Sequence, residues 1–256
     1  MGKIYFTCSF DDGDVLDLRL ANLLNKYNIR GTFYIPRSCD LVFKSLSENE
    51  IKELSHLVEI GGHTLSHRIL THIKDAEAYT EIFNCKVWLE DLIGKPVSSF
   101  CPPTGRFNYQ HVSFQKKAGF QVMRTVQMLS FSTKKIKKEE DFVILPTTTQ
   151  VFNHDRMAFV KNNVKRLEFA DLCSFRKLFD SNWEKMSKNY MAHLVQLSRN
   201  TSGDCYFHLW GHSWEIEKHS LWDDLERFLK NLREVDGIIY SNNSELALMA
   251  KNEVLR

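Results

Sequence analysis

The sequence predicts an α/β protein in which parallel strands close into a barrel. Segments of strand character alternate with amphipathic helical segments along almost the whole chain, and neighbouring parallel strands need such helical crossovers. Seven or eight strand–helix units close into a barrel rather than remain an open sheet. One α/β barrel commonly takes roughly 200–250 residues, and the chain has 256. We therefore predict a single domain over residues 1–256, with a mostly helical elaboration at about 127–203.

The elements of the first half begin and end at clear sequence signals. Ser47 and Glu50 have the spacing of a capping box, in which each side chain bonds the other residue's backbone N–H. Gly94 and Gly119 follow two predicted helices, where glycine readily takes the left-handed conformation of a helix end. The predicted strands lie at 3–10, 31–36, from 59, 97–101 and 121–126, and the predicted helices at 14–27, from 47, 75–93 and 109–118.

The second half is less regular than the first. Four lysines between residues 134 and 138 predict a basic loop, and the segment 155–198 is predicted to be largely helical. The other predicted elements are strands at 142–145, 205–210 and 237–240, an amphipathic helix at 221–235 and a terminal helix.

Composition and charge exclude several classes of protein. The 34 basic and 32 acidic side chains leave a net charge of +2, without the basic excess that is typical of nucleic-acid binders. No apolar run approaches the roughly 18 residues of a membrane span. The six cysteines form no CxxC pair, which indicates reduced thiols rather than a zinc ribbon or a disulfide framework. Because the first residues lack a signal-peptide pattern, we expect a cytoplasmic protein.

Two segments at predicted strand ends carry groups that can bind a metal. Asp11 and Asp12 end the first strand, and adjacent ionised carboxylates repel unless a cation or a shared proton lies near. The same pair before Gly13 also suits an ordinary strand-to-helix turn. His63 and His67 follow the third strand at a spacing that lets both imidazoles reach one ion, although such a pair is weakly specific for metal.

A third segment ends the 205–210 strand and holds His208 and His212 among aromatic residues. This pair fits a second metal pair, a catalytic histidine with a structural neighbour, or plain core packing. In a barrel, all three segments lie at the carboxyl ends of strands, where the loops that carry the chemistry converge. An aspartate and two histidines leave one tetrahedral position open for water, so the segments together indicate a hydrolytic metal site.

At these residues the sequence resembles the polysaccharide deacetylases, the NodB-homology enzymes of carbohydrate esterase family four. Ser9–Gly13 resembles the family's first motif, Thr-Phe-Asp-Asp-Gly, and His63–His67 matches the second, His-Ser/Thr-x-x-His. The resemblance covers roughly residues 3–126 and resumes at about 204–248. It implies a distorted (β/α) barrel of about seven parallel strands, and a hydrolase that acts on non-peptide carbon–nitrogen bonds.

The resemblance also implies a metal and a base. Asp12, His63 and His67 would bind Zn²⁺ or another divalent ion such as Co²⁺, Ni²⁺ or Mn²⁺. Asp11 would be the general base that takes a proton from the attacking water.

The remaining roles come from the third and fifth motifs of the family. The third reads Cys101 to Arg106 here, with Thr104 expected to donate its backbone N–H to the oxyanion. Many members begin this motif with an arginine that orients the base, and Cys101 stands in its place, so Arg106 is the expected partial substitute.

The fifth motif, Leu-x-His in the family, resembles Leu209-Trp210-Gly211-His212, which is one residue longer. It implies that His212 is the general acid, with His208 as the rival. Leu209, Trp210 and His208 are further candidates for contact with the substrate. The fourth motif has no clear counterpart, and Trp183 is a weak candidate for its tryptophan.

The resemblance implies a deacetylase that removes an N-acetyl group from an amino sugar or a glycan precursor. One alternative is a deformylase or amidohydrolase acting on another small amide. The other alternative is a sugar-binding protein whose catalysis has decayed, which Cys101 motivates. The expected partner is a carbohydrate, with no nucleic acid and no membrane span, and the sequence does not indicate an oligomeric state.

Overall fold

Ten strands of the computed structural model form one curled sheet. The structure describes residues 2–164, 176, 178–200 and 203–255, and all counts below refer to these residues. The strands are β1 (Ile4–Asp11), β2 (Gly31–Ile35), β3 (Glu59–Gly62), β4 (Ser99–Phe100), β5 (Val122–Arg124), β6 (Lys137–Glu139), β7 (Phe142–Leu145), β8 (Thr149–Gln150), β9 (Cys205–Gly211) and β10 (Ile238–Tyr240).

The order across the sheet is β6-β7-β5-β4-β3-β2-β1-β9-β8, with β10 also paired to β1. Every pairing is parallel except that of β6 with β7. The predicted α/β barrel class is therefore confirmed.

Two short strands in the described chain were not predicted. The lysines expected to form a basic loop partly belong to β6, which is an antiparallel edge strand next to β7. Lys137 and Lys138 are exposed there, and charged side chains on an edge strand discourage pairing with another molecule. β8 has only two residues, too few to show an alternating pattern in the sequence.

Three helices begin or end at the predicted signals. Ser47 and Glu50 form the capping box, and Gly94 and Gly119 take left-handed conformations at helix ends, with φ of 65° and 90°. The described helices are α1 (Asp17–Lys26), α2 (Glu48–Leu57), α3 (Asp75–Ile93), α4 (Tyr109–Ala118), α5 (Arg156–Val164), α6 (Trp183–Asn200), α7 (Ser213–Lys218), α8 (Trp222–Leu232) and α9 (Asn243–Lys251).

The predicted elaboration at about 127–203 contains three strands as well as two helices among its described residues. Residues 165–175 and 177 of the predicted 155–198 helical segment, and with them Cys173, lie outside the described residues. None of the described helices is both long enough and apolar enough to cross a membrane.

β1 lies in the middle of the sheet and is buried along its whole length. Its side chains alternate, as the period of two in a strand requires. Phe6 and Phe10 pack in the large apolar core under the helices, whereas Thr7 and Ser9 hydrogen-bond His208 of β9. The opposite face of β1 therefore carries polar groups into the barrel, towards Asp11 at the strand's carboxyl end.

Helix α9 closes the amino-terminal end of the barrel. Leu246, Ala247 and Ala250 of this helix form a second apolar cluster with Tyr5 of β1 and other buried residues of the barrel. With that end filled, the carboxyl ends of the strands are the open end, where the candidate site lies.

Candidate metal and catalytic site

Asp12 follows β1 in an unusual backbone conformation. Its φ is 83° and that of Gly13 is 69°, and a non-glycine residue with positive φ carries strain that often marks a functional site. The backbone N–H of Asp12 donates to the carbonyl of Tyr34 at 3.2 Å, and Trp214 donates its indole N–H to Asp12 Oδ2 at 3.0 Å. These contacts fix the carboxylate, which is almost completely buried.

His63 and His67 are brought to Asp12 by the turn after β3. Thr64 and His67 have φ of 59° and 53°, so the turn doubles back within five residues. Glu81 of α3 holds the turn, because its carboxylate accepts from the backbone N–H and the hydroxyl of Ser66 at 2.8 and 2.7 Å.

Asp12, His63 and His67 form the one cluster of potential metal ligands found among the described residues. His63 Nε2 and His67 Nε2 lie 3.5 and 3.1 Å from Asp12 Oδ1. The carbonyl of Cys101 contacts His63 Nδ1 at 2.6 Å, and since a carbonyl only accepts, Nδ1 carries the hydrogen and Nε2 offers its lone pair. Such a backbone partner is typical of metal-binding histidines, so these residues fit a divalent ion.

The electrostatics of the cluster favour a charged carboxylate. Burial acts to raise the pKa of Asp12, but the adjacent imidazoles of His63 and His67, and the nearby His212, lower it well below its usual range. Burial likewise acts to lower the pKa of His67, yet the bond to Asp12 and contact with Cys39 raise that pKa to about 10. The aspartate is therefore ready to bind a cation.

Asp11 is held by an arginine that the sequence did not reveal. Arg124, at the carboxyl end of β5, is fully buried and donates Nη2–H to Asp11 Oδ1 in an ion pair. Cys101 contacts Asp11 Oδ2 through its thiol at 3.9 Å. The signal in the sequence was an arginine inside an otherwise apolar strand, but only the sheet order shows which carboxylate it meets.

Arg106, the expected substitute for the missing arginine, lies elsewhere. Its guanidinium contacts His72 Nε2 at 3.0 Å on the exposed side of the loop. Arg124 rather than Arg106 therefore reaches Asp11.

His212 lies in the site, and the carboxylate of Glu215 contacts its Nδ1. Its Nδ1 is 2.5 Å from Glu215 Oε2 and its Nε2 is 3.8 Å from Asp12 Oδ2. Gln150 of β8 donates to the same Glu215 oxygen at 2.8 Å, and His154 contacts Gln150 Oε1 at 2.7 Å. Burial acts to lower the pKa of His212, but the bond to Glu215 and the charge of Asp12 raise it to about 9.

His208 lies inside the barrel rather than in the site. Its two ring nitrogens are 2.6 Å from Thr7 Oγ1 and 2.8 Å from Ser9 Oγ. Burial, and then the charge of Arg124, lower its pKa well below the usual range, so its ring is neutral. A permanently neutral histidine with both nitrogens engaged is poorly suited to donate a proton.

Of the remaining site residues predicted from the sequence, some line the pocket and others lie in the apolar core. Thr104, with φ of 57°, and Trp210 line the pocket. Leu209 is buried in the apolar core, and Trp183 packs its ring against Phe228 at 6.1 Å, also in the core.

One pocket of about 350 Å³ brings the candidate groups together. Its lining includes both aspartates, both candidate metal-ligand histidines and His212. The other lining residues are Leu41, Thr104, Gly105, Val126, Met128, Gln150, Asn162, Trp210, Trp214 and Glu215.

The sequence comparisons agree with the predicted resemblance. Residues 2–123 match the family model described as polysaccharide deacetylase. YxkH of Bacillus subtilis (strain 168), assigned to the polysaccharide deacetylases, is 24% identical over 121 residues. That match covers 46% of this chain and 43% of YxkH, so it spans less than half of either protein.

Solved structures share the fold over nearly the whole chain. A Mycobacterium smegmatis protein assigned to the polysaccharide deacetylases has a TM-score of 0.69 at 15% identity, covering 100% of this chain and 93% of its own. Peptidoglycan deacetylase PdaC from Bacillus subtilis has a TM-score of 0.55 at 16% identity, covering 99% and 94%. A family 4 acetyl xylan esterase from Clostridium thermocellum, solved with a cobalt ion, has a TM-score of 0.57 at 15% identity, covering 96% and 91%. The sequence matches agree with the predicted resemblance, and the structural matches confirm the predicted barrel fold.

Proposed function

We propose that the chain, whose residues 2–123 match the family model of the polysaccharide deacetylases, is a member of that family and a metal-dependent hydrolase that removes an N-acetyl group from an amino sugar or a glycan precursor.

The observation that carries the proposal is the position of the metal-ligand cluster between two proton-transfer groups. Asp12, His63 and His67 lie within 4.8 Å of one another through their ligand atoms, with Asp11 and His212 in the same pocket. A base and an acid beside a metal cluster with an open side suit hydrolysis of an amide.

The chain's own residues would divide the proton transfers. Asp11, adjacent to the cluster, takes the proton of the attacking water. His212, whose other nitrogen is held by Glu215, gives a proton to the leaving amine nitrogen. Asp12, His63 and His67 would hold a divalent ion, which would supply Lewis acidity towards the acetyl carbonyl and lower the pKa of a water molecule.

The support for a carbohydrate substrate comes from the relatives and from the pocket wall. Structural relatives include a peptidoglycan deacetylase and a chitin deacetylase by name. Trp210 and Trp214 line the pocket, and indole faces stack well on sugar rings, which have apolar faces of their own. We also propose a reducing compartment, such as the cytoplasm, in which thiols like those of Cys8, Cys39, Cys85 and Cys101 stay reduced.

The test is a substrate screen with purified protein, before and after removal of metal by a chelator and after readdition of Zn²⁺ or Co²⁺. N-acetylated and N-formylated amino sugars are offered in parallel, and acetate and formate are quantified. We expect acetate release that is lost on chelation and restored by metal.

A matched pair of variants completes the test. Asp11→Asn removes the proposed base and should lower the rate of acetate release by about 100- to 10,000-fold. Asp91→Asn makes the same chemical change on the exposed side of α3 and should leave the rate unchanged. Release of formate alone would favour the deformylase alternative, and glycan binding without any release would favour the decayed sugar-binding protein.

A further inference from the structure

We propose that Arg124 is the positioning residue of Asp11, and that Cys101 is the small neighbour whose size makes room for it. The proposal rests on the proposed function, because it concerns the residue that takes the role of base in that reaction.

The first support is the burial of the ion pair. The side chain of Arg124 is 0% exposed and that of Asp11 is 5% exposed. Arg124 bonds Asp11 Oδ1, whereas Oδ2 has the thiol of Cys101, a weak donor, as its hydrogen-bond contact among the described residues. One oxygen of the carboxylate is thus fixed, and the other remains available to accept a proton.

The second support is the restraint on the guanidinium itself. Its carbon lies 5.3 Å from the ring centroid of Tyr34 and 5.0 Å from that of Trp210. Two aromatic rings therefore confine the planar group, and stacking on rings is a contact that a lysine ammonium reproduces poorly. A confined guanidinium transmits its orientation to the carboxylate that it binds.

The third support is that the buried arginine costs folding free energy. Its Nε and Nη1 are buried without a hydrogen-bond partner among the described residues. Unsatisfied buried donors are costly, and apolar residues can often replace a buried ion pair without loss of stability. A costly charged group next to the proposed base is better explained by positioning than by packing.

The fourth support is the place of Cys101 in the sheet. Phe100 of β4 pairs with Met123 of β5, so the next residues along the two strands, Cys101 and Arg124, lie side by side. Arginines at both positions would bring two buried cations together. The small thiol and the arginine are therefore complementary, and the cation reaches Asp11 from the neighbouring strand instead of from position 101.

The first experiment measures kcat, KM and zinc content for three variants on an acetylated amino sugar. Arg124→Met should lower kcat by about 100-fold, the effect of misplacing a reacting group by about 1 Å, while KM and zinc content stay close to wild type. Arg124→Lys keeps the charge without the planar fork and should recover part of kcat. Arg233→Met removes an exposed arginine that stacks on Tyr240 and should change none of these quantities.

The second experiment does not depend on catalysis. Thermal unfolding of the metal-free protein is followed for wild type, Arg124→Met, Asp11→Asn and the double variant. If Arg124 holds Asp11, the loss of Tm caused by Arg124→Met is smaller in the Asp11→Asn background. Equal losses in both backgrounds would show that the two side chains are uncoupled and would overturn the proposal.

The third experiment transfers the arginine from position 124 to position 101. The double variant Cys101→Arg/Arg124→Met should show at least a tenfold higher kcat than Arg124→Met alone, because position 101 is next to Asp11. If the wild type is active and the folded Arg124→Met variant has the same kcat, the positioning role is overturned. The proposed function is then unaffected. If the wild type hydrolyses no acyl amide, the proposed function fails, and so does the role of Arg124 in it, even where the unfolding cycle shows coupling.

Discussion

At the scale of single residues, His208 on β9 and His212 just beyond its end lie four positions apart in different surroundings. His208 satisfies two buried hydroxyl groups inside the barrel. His212 lies at the end of the strand, between Glu215 and the metal-ligand cluster. With His212 as the proposed acid and His208 as a structural residue, the two surroundings predict different mutant phenotypes.

We expect His212→Ala to lower kcat by about 100- to 10,000-fold, which is the usual contribution of a general acid, with little change in the free energy of unfolding. His208→Ala should instead lower the free energy of unfolding by about 1–3 kcal/mol, because it leaves the hydroxyls of Thr7 and Ser9 buried and unpaired. Steady-state kinetics and urea unfolding of both variants make the comparison. The reverse pattern would assign the acid to His208.

Gly105 lies where the backbone approaches a neighbouring side chain too closely for a Cβ atom. Its φ is +65°, and a Cβ added there would lie 2.2 Å from Val126 Cγ2. Gly94 has the same φ of +65° with nothing within 4 Å. The two glycines thus share one backbone strain and differ in the space around them.

We expect Gly94→Ala to lower the free energy of unfolding by about 1–2 kcal/mol through its left-handed backbone alone. Gly105→Ala should lose a further 1–3 kcal/mol or so from overpacking. It should also raise KM, because Thr104 next to it lines the pocket. Equal stability in the two variants would mean that the loop at Gly105 moves aside without cost.

At the scale of elements, Glu59 ties β3 to the beginning of α9. Its carboxylate accepts from Thr32 Oγ1, from the hydroxyl of Ser244 and from the backbone N–H groups of Asn243 and Ser244. The first N–H groups of a helix have no partner within the helix, and a negative charge there is favourable. The helix that closes the barrel is therefore anchored by a residue from the sheet.

Glu59 also predicts a pH dependence of stability. Burial raises the pKa of Glu59, although the hydrogen bonds oppose this shift. The folded protein therefore holds this proton more tightly than the unfolded chain, and stability from this group falls as pH rises from the unfolded to the folded pKa. The glutamine in the Glu59→Gln variant cannot titrate. In urea titrations, the variant's free energy of unfolding should therefore decline less than that of the wild type as pH rises across that interval. Parallel pH profiles for the two proteins would refute this assignment.

The elements also show which parts of the site could be predicted from the sequence. Asp12, His63 and His67 each follow a strand, and parallel strands bring their carboxyl ends to one edge, so their meeting was predictable. The bond between Arg124 and Asp11 was not, because it depends on which strand lies beside β4. Likewise, β6 was predicted as a loop because its consecutive lysines do not alternate with apolar residues. Its pairing with β7 depends on the fold.

At the scale of the whole molecule, metal binding should couple to unfolding. A ligand that binds only the folded protein stabilises it by about 2.7 kcal/mol at a hundredfold excess over its Kd. We expect Zn²⁺ to raise the Tm of the chelator-treated protein, and His67→Ala to abolish this rise. His56→Ala, which removes an exposed histidine from α2, should retain it. A zinc-induced rise that persists in His67→Ala would place the ion elsewhere.

The arrangement of β1 bears on how the chain is synthesised and folded. β1 is the first of the described strands along this chain, yet it pairs with β9 and β10, within residues 205–240, as well as with β2. Contacts so distant in sequence form late and slow folding. The aspartates at the end of β1 must therefore wait for most of the chain before His212 can join them. In a nascent chain that stops at residue 200, β1 has β2 as a partner, but the edge that pairs with β9 and β10 is open, and such an open edge favours aggregation or chaperone binding.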